Sequence, residues 1–116
     1  MPQVAGIDVS RETIDALKEF ADLLTKWNRS INLVAKSTIP DIWNRHIIDS
    51  AQLLGWDLQE PPNWIDIGSG GGLPGIVVAI ILKETHPTGT VTLVESDQRK
   101  SAFLRTAATT FGLSAE

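Results

Sequence analysis

The chain has 116 residues, enough for one small domain with a modest core. Its 42% hydrophobic and 21% charged content is that of an ordinary globular protein, and with no cysteine it has no disulfide framework, thiolate metal site or thiol nucleophile. A formal net charge of −4 argues against a broadly basic nucleic-acid binder, so any such surface must be a local patch.

Two patches are candidates: Lys26, Arg29, Lys36 and Arg45 in the first half, and Arg99, Lys100 and Arg105 against Asp97 in the second. Such charges are more often a solvated helix face. The two histidines, His46 and His86, lie far apart, so no metal site is expected. The longest wholly apolar run, Ile76 to Leu82, has seven residues, short of the ~20 a membrane span needs. The N-terminus lacks a basic-then-apolar signal pattern. A soluble cytoplasmic protein is the expectation.

In chain order, Ile14, Leu17, Phe20, Ala21, Leu24 and Trp27 recur at three- and four-residue spacing and predict an amphipathic helix from Ser10 to about Trp27. Ser10 or Asp8 can cap it, with Glu12 and Asp15 near its positive end. Asn28 to Lys36 reads as a connection. A second helix is predicted from about Ile39 to Leu54, capped by Ser37 or Thr38, with Pro40 in its first turn and Gly55 at its end. After the Pro61-Pro62 loop come a strand (Trp64 to Ile67), a glycine loop and a buried helix (about Pro74 to Glu84). A turn (His86 to Gly89), a strand (Thr90 to Glu95) and a last helix (about Asp97 to Phe111, stopped by Gly112) complete the chain. The tryptophans at 27, 43, 56 and 64 read as core.

Strand, helix, strand, helix is the start of a parallel α/β sheet. Such a sheet needs more than two strands and cover on both faces. A third strand could begin only after Leu113, so the pattern predicts the N-terminal part of a larger domain. The expected division is a helical segment, residues 1–62, and a partial sheet domain, residues 63–116.

The stretch NWIDIGSGGGLPGI, Asn63 to Ile76, carries the chemistry. Gly68, Gly70, Gly71, Gly72 and Gly75 follow a strand, which implies a sharply turning backbone that something approaches closely. A phosphate loop is excluded, because Ile76-Val77 follow Gly75 where Lys-Ser or Lys-Thr is required. Gly70-x-Gly72-x-x-Gly75 satisfies the dinucleotide fingerprint formally, and Glu95 stands twenty residues beyond, where a ribose-binding acid belongs. Yet the turn starts earlier, at Gly68, and Asp66 occupies the strand end where that fingerprint has an apolar residue. Asp66, Gly68, Gly70 and Gly72 instead suit S-adenosylmethionine, whose amino-acid end is cationic and which has no pyrophosphate. Asp66 can serve that end, and Glu95 can accept both ribose hydroxyls. The plain alternative is that Asp66 caps the next helix and Glu95-Ser96 starts the last one.

Lys26-Trp27-Asn28, Asn32-Leu33, Arg45-His46-Ile47 with Asp49-Ser50, Asp66-Ile67-Gly68 through Leu73-Pro74-Gly75-Ile76, and Glu95-Ser96 with Arg99-Lys100 and Phe103-Leu104 together resemble the bacterial glucose-inhibited-division protein B family. The resemblance runs from about Asp22 to Leu113. It implies N-terminal helices followed by the first half of a Rossmann-like methyltransferase sheet, S-adenosylmethionine as cofactor, and transfer to guanine N7 in small-subunit ribosomal RNA. It implies cofactor contacts at Gly68 and Leu73, with Asp66, Gly70 and Gly72 shaping the pocket and Glu95-Ser96 at the ribose. Glu95 stands where the family commonly has Asp. Arg45, His46, Arg99 and Lys100 become candidate RNA contacts; the bland reading of Arg45 with Asp49 is an intrahelical ion pair beside a packed histidine. No residue need be a catalytic base, because N7 has a free lone pair. The remaining readings are a nicotinamide or flavin dinucleotide module, and a truncated chain that binds a partner through a sheet edge.

Overall fold

The computed structural model describes residues 2–55, 63–67, 71–87 and 89–113. A small antiparallel hairpin comes first, β1 (Gln3–Val4) and β2 (Ile7–Asp8), too short to leave a periodicity in the sequence. Ala5 and Gly6 turn it with φ of 51° and 82°, the positive-φ pair that suits a two-residue hairpin. Helix α1 spans Arg11–Asn28, and the Ser10 hydroxyl oxygen accepts from the Thr13 backbone N–H at 3.3 Å. Leu17, Phe20, Ala21 and Leu24 form its buried stripe.

The start of α1 is also held from a distance. Glu84 lies in the last turn of α3 (Gly75–Thr85), and its carboxylate accepts from the Ser10 N–H at 2.9 and 3.0 Å and from the Thr13 hydroxyl at 2.6 Å. The Thr13 bond, and then the Ser10 backbone bond, hold the Glu84 carboxyl below its ordinary range. Folding therefore favours the charged form. That contribution is present above the ordinary glutamate pKa and is lost as pH falls through the lowered folded value. Glu84→Gln is expected to lower the Tm at neutral pH, with the gap to the unsubstituted chain closing in acid. A gap of constant size across that range would contradict the assignment.

The connection after α1 is organised by Asn28. Its buried side chain accepts through Oδ1 from the N–H groups of Leu33 at 2.7 Å and Val34 at 2.9 Å. Asn28→Ala would leave both donors without that acceptor, and a loss of about 1–3 kcal/mol in a urea titration is expected. A change below a few tenths of a kcal/mol would show that water replaces the amide.

The second helix departs from expectation. In place of one helix there are a 3₁₀ helix (Lys36–Asp41), a π-helix (Trp43–Ile48), a single α turn, α2 (Asp49–Ala51), and another 3₁₀ turn (Gln52–Gly55). Pro40 sits inside the first of these without an N–H to donate, so a regular ladder cannot run through it. Neither Ser37 nor Thr38 caps the segment. It starts from Ala35, and the Thr38 hydroxyl donates to the Ala35 carbonyl at 2.6 Å.

Strands β3 (Asn63–Ile67) and β4 (Thr90–Val94) pair in parallel, Asn63 against Thr90 through Ile67 against Val94, with α3 between them in sequence. Helix α3 is buried from Gly75 to Leu82, as a helix apolar on all sides must be. Helix α4 (Gln98–Phe111) starts at Asp97, whose Oδ1 accepts from the N–H groups of Arg99 at 2.9 Å and Lys100 at 3.2 Å. It ends at Gly112 (φ 61°), where the Gly112 and Leu113 N–H groups return to Thr109 and Ala108. That is the Schellman pattern. Lys83 Nζ adds a bond to the Phe111 carbonyl at 3.0 Å. One core joins Val4, Leu17, Phe20, Ile47, Ile76, Ile80, Phe103 and Phe111, so both halves of the chain share it. Trp27 and Trp43 pack partly buried against this core, and Trp56 lies outside the described residues. The opposite face of the strand pair carries exposed Ile65 and Val94.

Candidate functional site

The parallel register brings Asp66 opposite Leu93, two residues before Glu95, so both carboxylates stand at the C-terminal ends of adjacent strands. In open α/β sheets that end is where ligands bind. Asp66 is half-buried, and its Oδ2 accepts from the Gly75 N–H at 3.1 Å. It therefore does cap α3 with one oxygen. Glu95 Oε2 accepts from the Asp97 N–H at 3.0 Å, and its carbonyl accepts from the Ser101 hydroxyl at 3.0 Å. Glu95 also lines a cavity of about 230 Å³ with Leu93, Ser101, Leu104 and Arg105. Ser96 beside it is exposed. The plain alternative thus holds for Asp66, whereas α4 is started by Asp97 and not by Glu95-Ser96; Glu95 bonds the N–H of that cap residue.

Gly68 and Gly70 lie outside the described residues, but the end of the loop is visible. Gly71 is buried, and a Cβ there would come within 3.2 Å of the Leu33 carbonyl and 3.3 Å of Leu24 Cδ1. Gly72 has φ of 78°, and a Cβ would meet Ile76 Cγ1 at 2.6 Å. At Gly75 a Cβ would overlap Leu93 Cδ2 and sit 2.7 Å from Asp66 Oδ2. Gly72 is therefore required by the fold itself, while Gly71 lets the loop lie close under α1 and Gly75 lets α3 lie close against the strands.

Leu73 precedes a cis peptide bond to Pro74, and the pair lines a cavity of about 340 Å³ with Arg45, His46, Asp49 and Ser50. The structure so joins the predicted helix-two group to the end of the glycine loop. The wide π turn carries Arg45 and His46 into this wall, and π segments recur at functional sites. His46 Nε2 lies 2.7 Å from the Thr38 hydroxyl, whose own hydrogen goes to Ala35. The network therefore assigns the histidine proton to Nε2 and leaves Nδ1 as an acceptor. Burial, and then the Arg45 charge, push the His46 pKa down, against a smaller upward pull from Asp49. A neutral imidazole at pH 7 follows. Arg99 and Lys100 do not join this cavity. Arg99 lines another with Lys26 and Trp27, and Lys100 is half-buried beside Asp97. Among the described residues there is no cluster of His, Asp and Glu that could hold a metal ion, and no helix long and apolar enough to cross a membrane.

A strand with an acid next to its last residue, glycines after it, a helix seated close against that strand and a second parallel strand define an α/β chain with a βαβ unit. The family model described as rRNA small subunit methyltransferase G matches residues 13–115, and the chain belongs to this family, GidB. Proteins named ribosomal RNA small subunit methyltransferase G are similar to it. One from Cereibacter sphaeroides is 51% identical over 112 residues, covering 97% of this chain and 54% of that protein. The Sinorhizobium medicae protein is 56% identical over 102 residues (88% and 47%), and the Ruegeria pomeroyi protein 49% over 116 residues (100% and 56%). The chain spans about half the length of these curated relatives.

Proposed function

We propose that this chain carries the cofactor-binding part of an S-adenosylmethionine-dependent methyltransferase that acts on guanine N7 in small-subunit ribosomal RNA. In this reading residues 63–116 are the first part of a Rossmann-like sheet, and residues 1–62 are a helical segment packed onto it. The observation that carries it is the pair Asp66 and Glu95 at the ends of adjacent parallel strands, in a chain of this family.

The residues present fit such a cofactor. In this reading Asp66 serves the cationic ammonium and Glu95 accepts from the ribose hydroxyls. Gly72, with its positive φ, turns the backbone between them. Leu73 supplies an apolar contact on the side of the Arg45–Asp49 cavity. When bound, the cofactor supplies an electrophilic methyl group on a sulfonium. Guanine N7 already presents a lone pair, so the chain's own groups have no proton to remove and act by positioning and electrostatics. Neutral His46 and cationic Arg45 border the side on which a nucleotide would enter.

Calorimetry with S-adenosylmethionine and with NAD tests the reading; tighter binding of NAD would overturn it. Glu95→Ala is expected to weaken S-adenosylmethionine binding by about 1.5–3 kcal/mol, the range of hydrogen bonds to a charged group. Unchanged affinity would move the ribose site elsewhere.

A further inference from the structure

We infer that the groove between the C-terminal end of α1 and the first turns of α4 is a contact surface for single-stranded RNA. The inference rests on the ribosomal RNA reading above and extends it to a surface outside the cofactor crevice. A cavity of about 520 Å³ lies here, lined by Lys26, Trp27, Ser30, Ile31, Arg99 and Ala102. Its floor is apolar and its rim is cationic, since Ile31 is buried while Lys26, Ser30 and Arg99 are exposed. Each of the two basic patches supplies one cation to it, Lys26 and Arg99 being more than seventy residues apart in the sequence.

Trp27 is the centre of the argument. Its ring is half-buried and held edge-on against Phe103, with centroids 5.5 Å apart at 60°. An indole in a groove that two cations also line is what sequence-tolerant binding of a single strand uses: a base stacks on the ring and flanking phosphates meet the charges. Two acids offset part of this charge: Asp97, which faces Arg99 and Lys100, and Asp22, one helical turn before Lys26; the rim cations themselves stay exposed. A protein partner seated by apolar contact alone would have no use for the cationic rim. Position agrees as well. Arg99 is four residues past Glu95, so the groove lies beside the strand ends that bear the two carboxylates.

The test uses fluorescence anisotropy with a short labelled single-stranded RNA, measured over a range of salt. The charge reversals Lys26→Glu with Arg99→Glu are compared with Arg11→Glu with Lys18→Glu, which make the same change in net charge on exposed positions of α1. The groove pair is expected to lose affinity at least tenfold and to flatten the log–log salt slope by about 1.4, near 0.7 for each phosphate released. The control pair is expected to lose far less. Trp27→Phe keeps an aromatic face and should keep most of the affinity, while removing the quenching of tryptophan emission that RNA causes. No RNA binding by the unsubstituted chain, an unchanged affinity and slope in the groove pair, an equal loss in both pairs, or quenching that persists in Trp27→Phe would each overturn the proposal. So would a dimer that the groove pair dissolves while RNA binding stands, which would assign the groove to a second copy. S-adenosylmethionine affinity is measured in parallel, so failure of the groove and failure of the methyltransferase reading are read separately.

Discussion

Gly75→Val is expected to lower the free energy of unfolding by about 3 kcal/mol, the top of the usual overpacking range. A Cβ at this position overlaps Leu93 Cδ2 and crowds the Asp66 carboxylate, and valine adds two methyl groups to that. The end of the Leu93 side chain can turn aside, but Asp66 Oδ2 is bonded to the Gly75 N–H itself and Asp66 Cβ lies 3.3 Å from the added atom. To accept valine, the Asp66 carboxylate must leave the start of α3 or α3 must shift from the strands. Gly6→Ala is the informative comparison. Gly6 has φ of 82° but open space around a Cβ, so it isolates conformational strain, about 1–2 kcal/mol. Urea titration of both variants separates the two causes. Gly75→Val as stable as Gly6→Ala would show that α3 is not seated as closely as described.

Phe20→Ala is expected to cost about 3–5 kcal/mol, the range for deleting a buried phenyl ring. Phe20 is fully buried, 6.1 Å from the Phe103 ring and 6.3 Å edge-on from Phe111. It also covers Gly72, where a Cβ would come within 3.3 Å of Phe20 Cζ. One ring therefore ties α1 to α4 and backs the glycine turn. Against a total stability of about 5–15 kcal/mol for a domain, such a loss leaves little margin. The same variant is expected to weaken S-adenosylmethionine binding, because the turn at Gly72 loses its support. Full affinity at a temperature where the variant is folded would separate the core from the proposed cofactor site.

How far the sequence carries depends on how local each cause is. Helices α1, α3 and α4 and both parallel strands are legible because the signals lie within a few residues: a periodic stripe, an unbroken apolar run, a β-branched run, Asp97 at one helix start and Gly112 at its end. The hairpin at Gln3–Asp8 is not legible, since two-residue strands have no period. Residues 36–55 mislead for a different reason. Their apolar spacing is helical, but Pro40 and the anchoring of His46 to Thr38 divide the segment into 3₁₀ and π turns. Asn28 reads as a helix-breaking residue and is in fact the buried amide that shapes the next turn.

The candidate site divides along the same line. That Asp66 stands near the end of a strand, that glycines follow and that Glu95 comes at the end of the next apolar run were all present in the order of residues, because a βαβ unit is a local object. The sequence by itself determined that unit and the family to which the chain belongs. Only the tertiary structure decided which distant groups meet. Glu84 reaches Ser10 and Thr13 across more than seventy residues, Arg45 and His46 come to Leu73, and Lys26 comes to Arg99. Those meetings follow from burying the apolar stripe of α1 against α3 and α4. Burial is non-directional, so only the packed solution shows which polar groups it brings side by side.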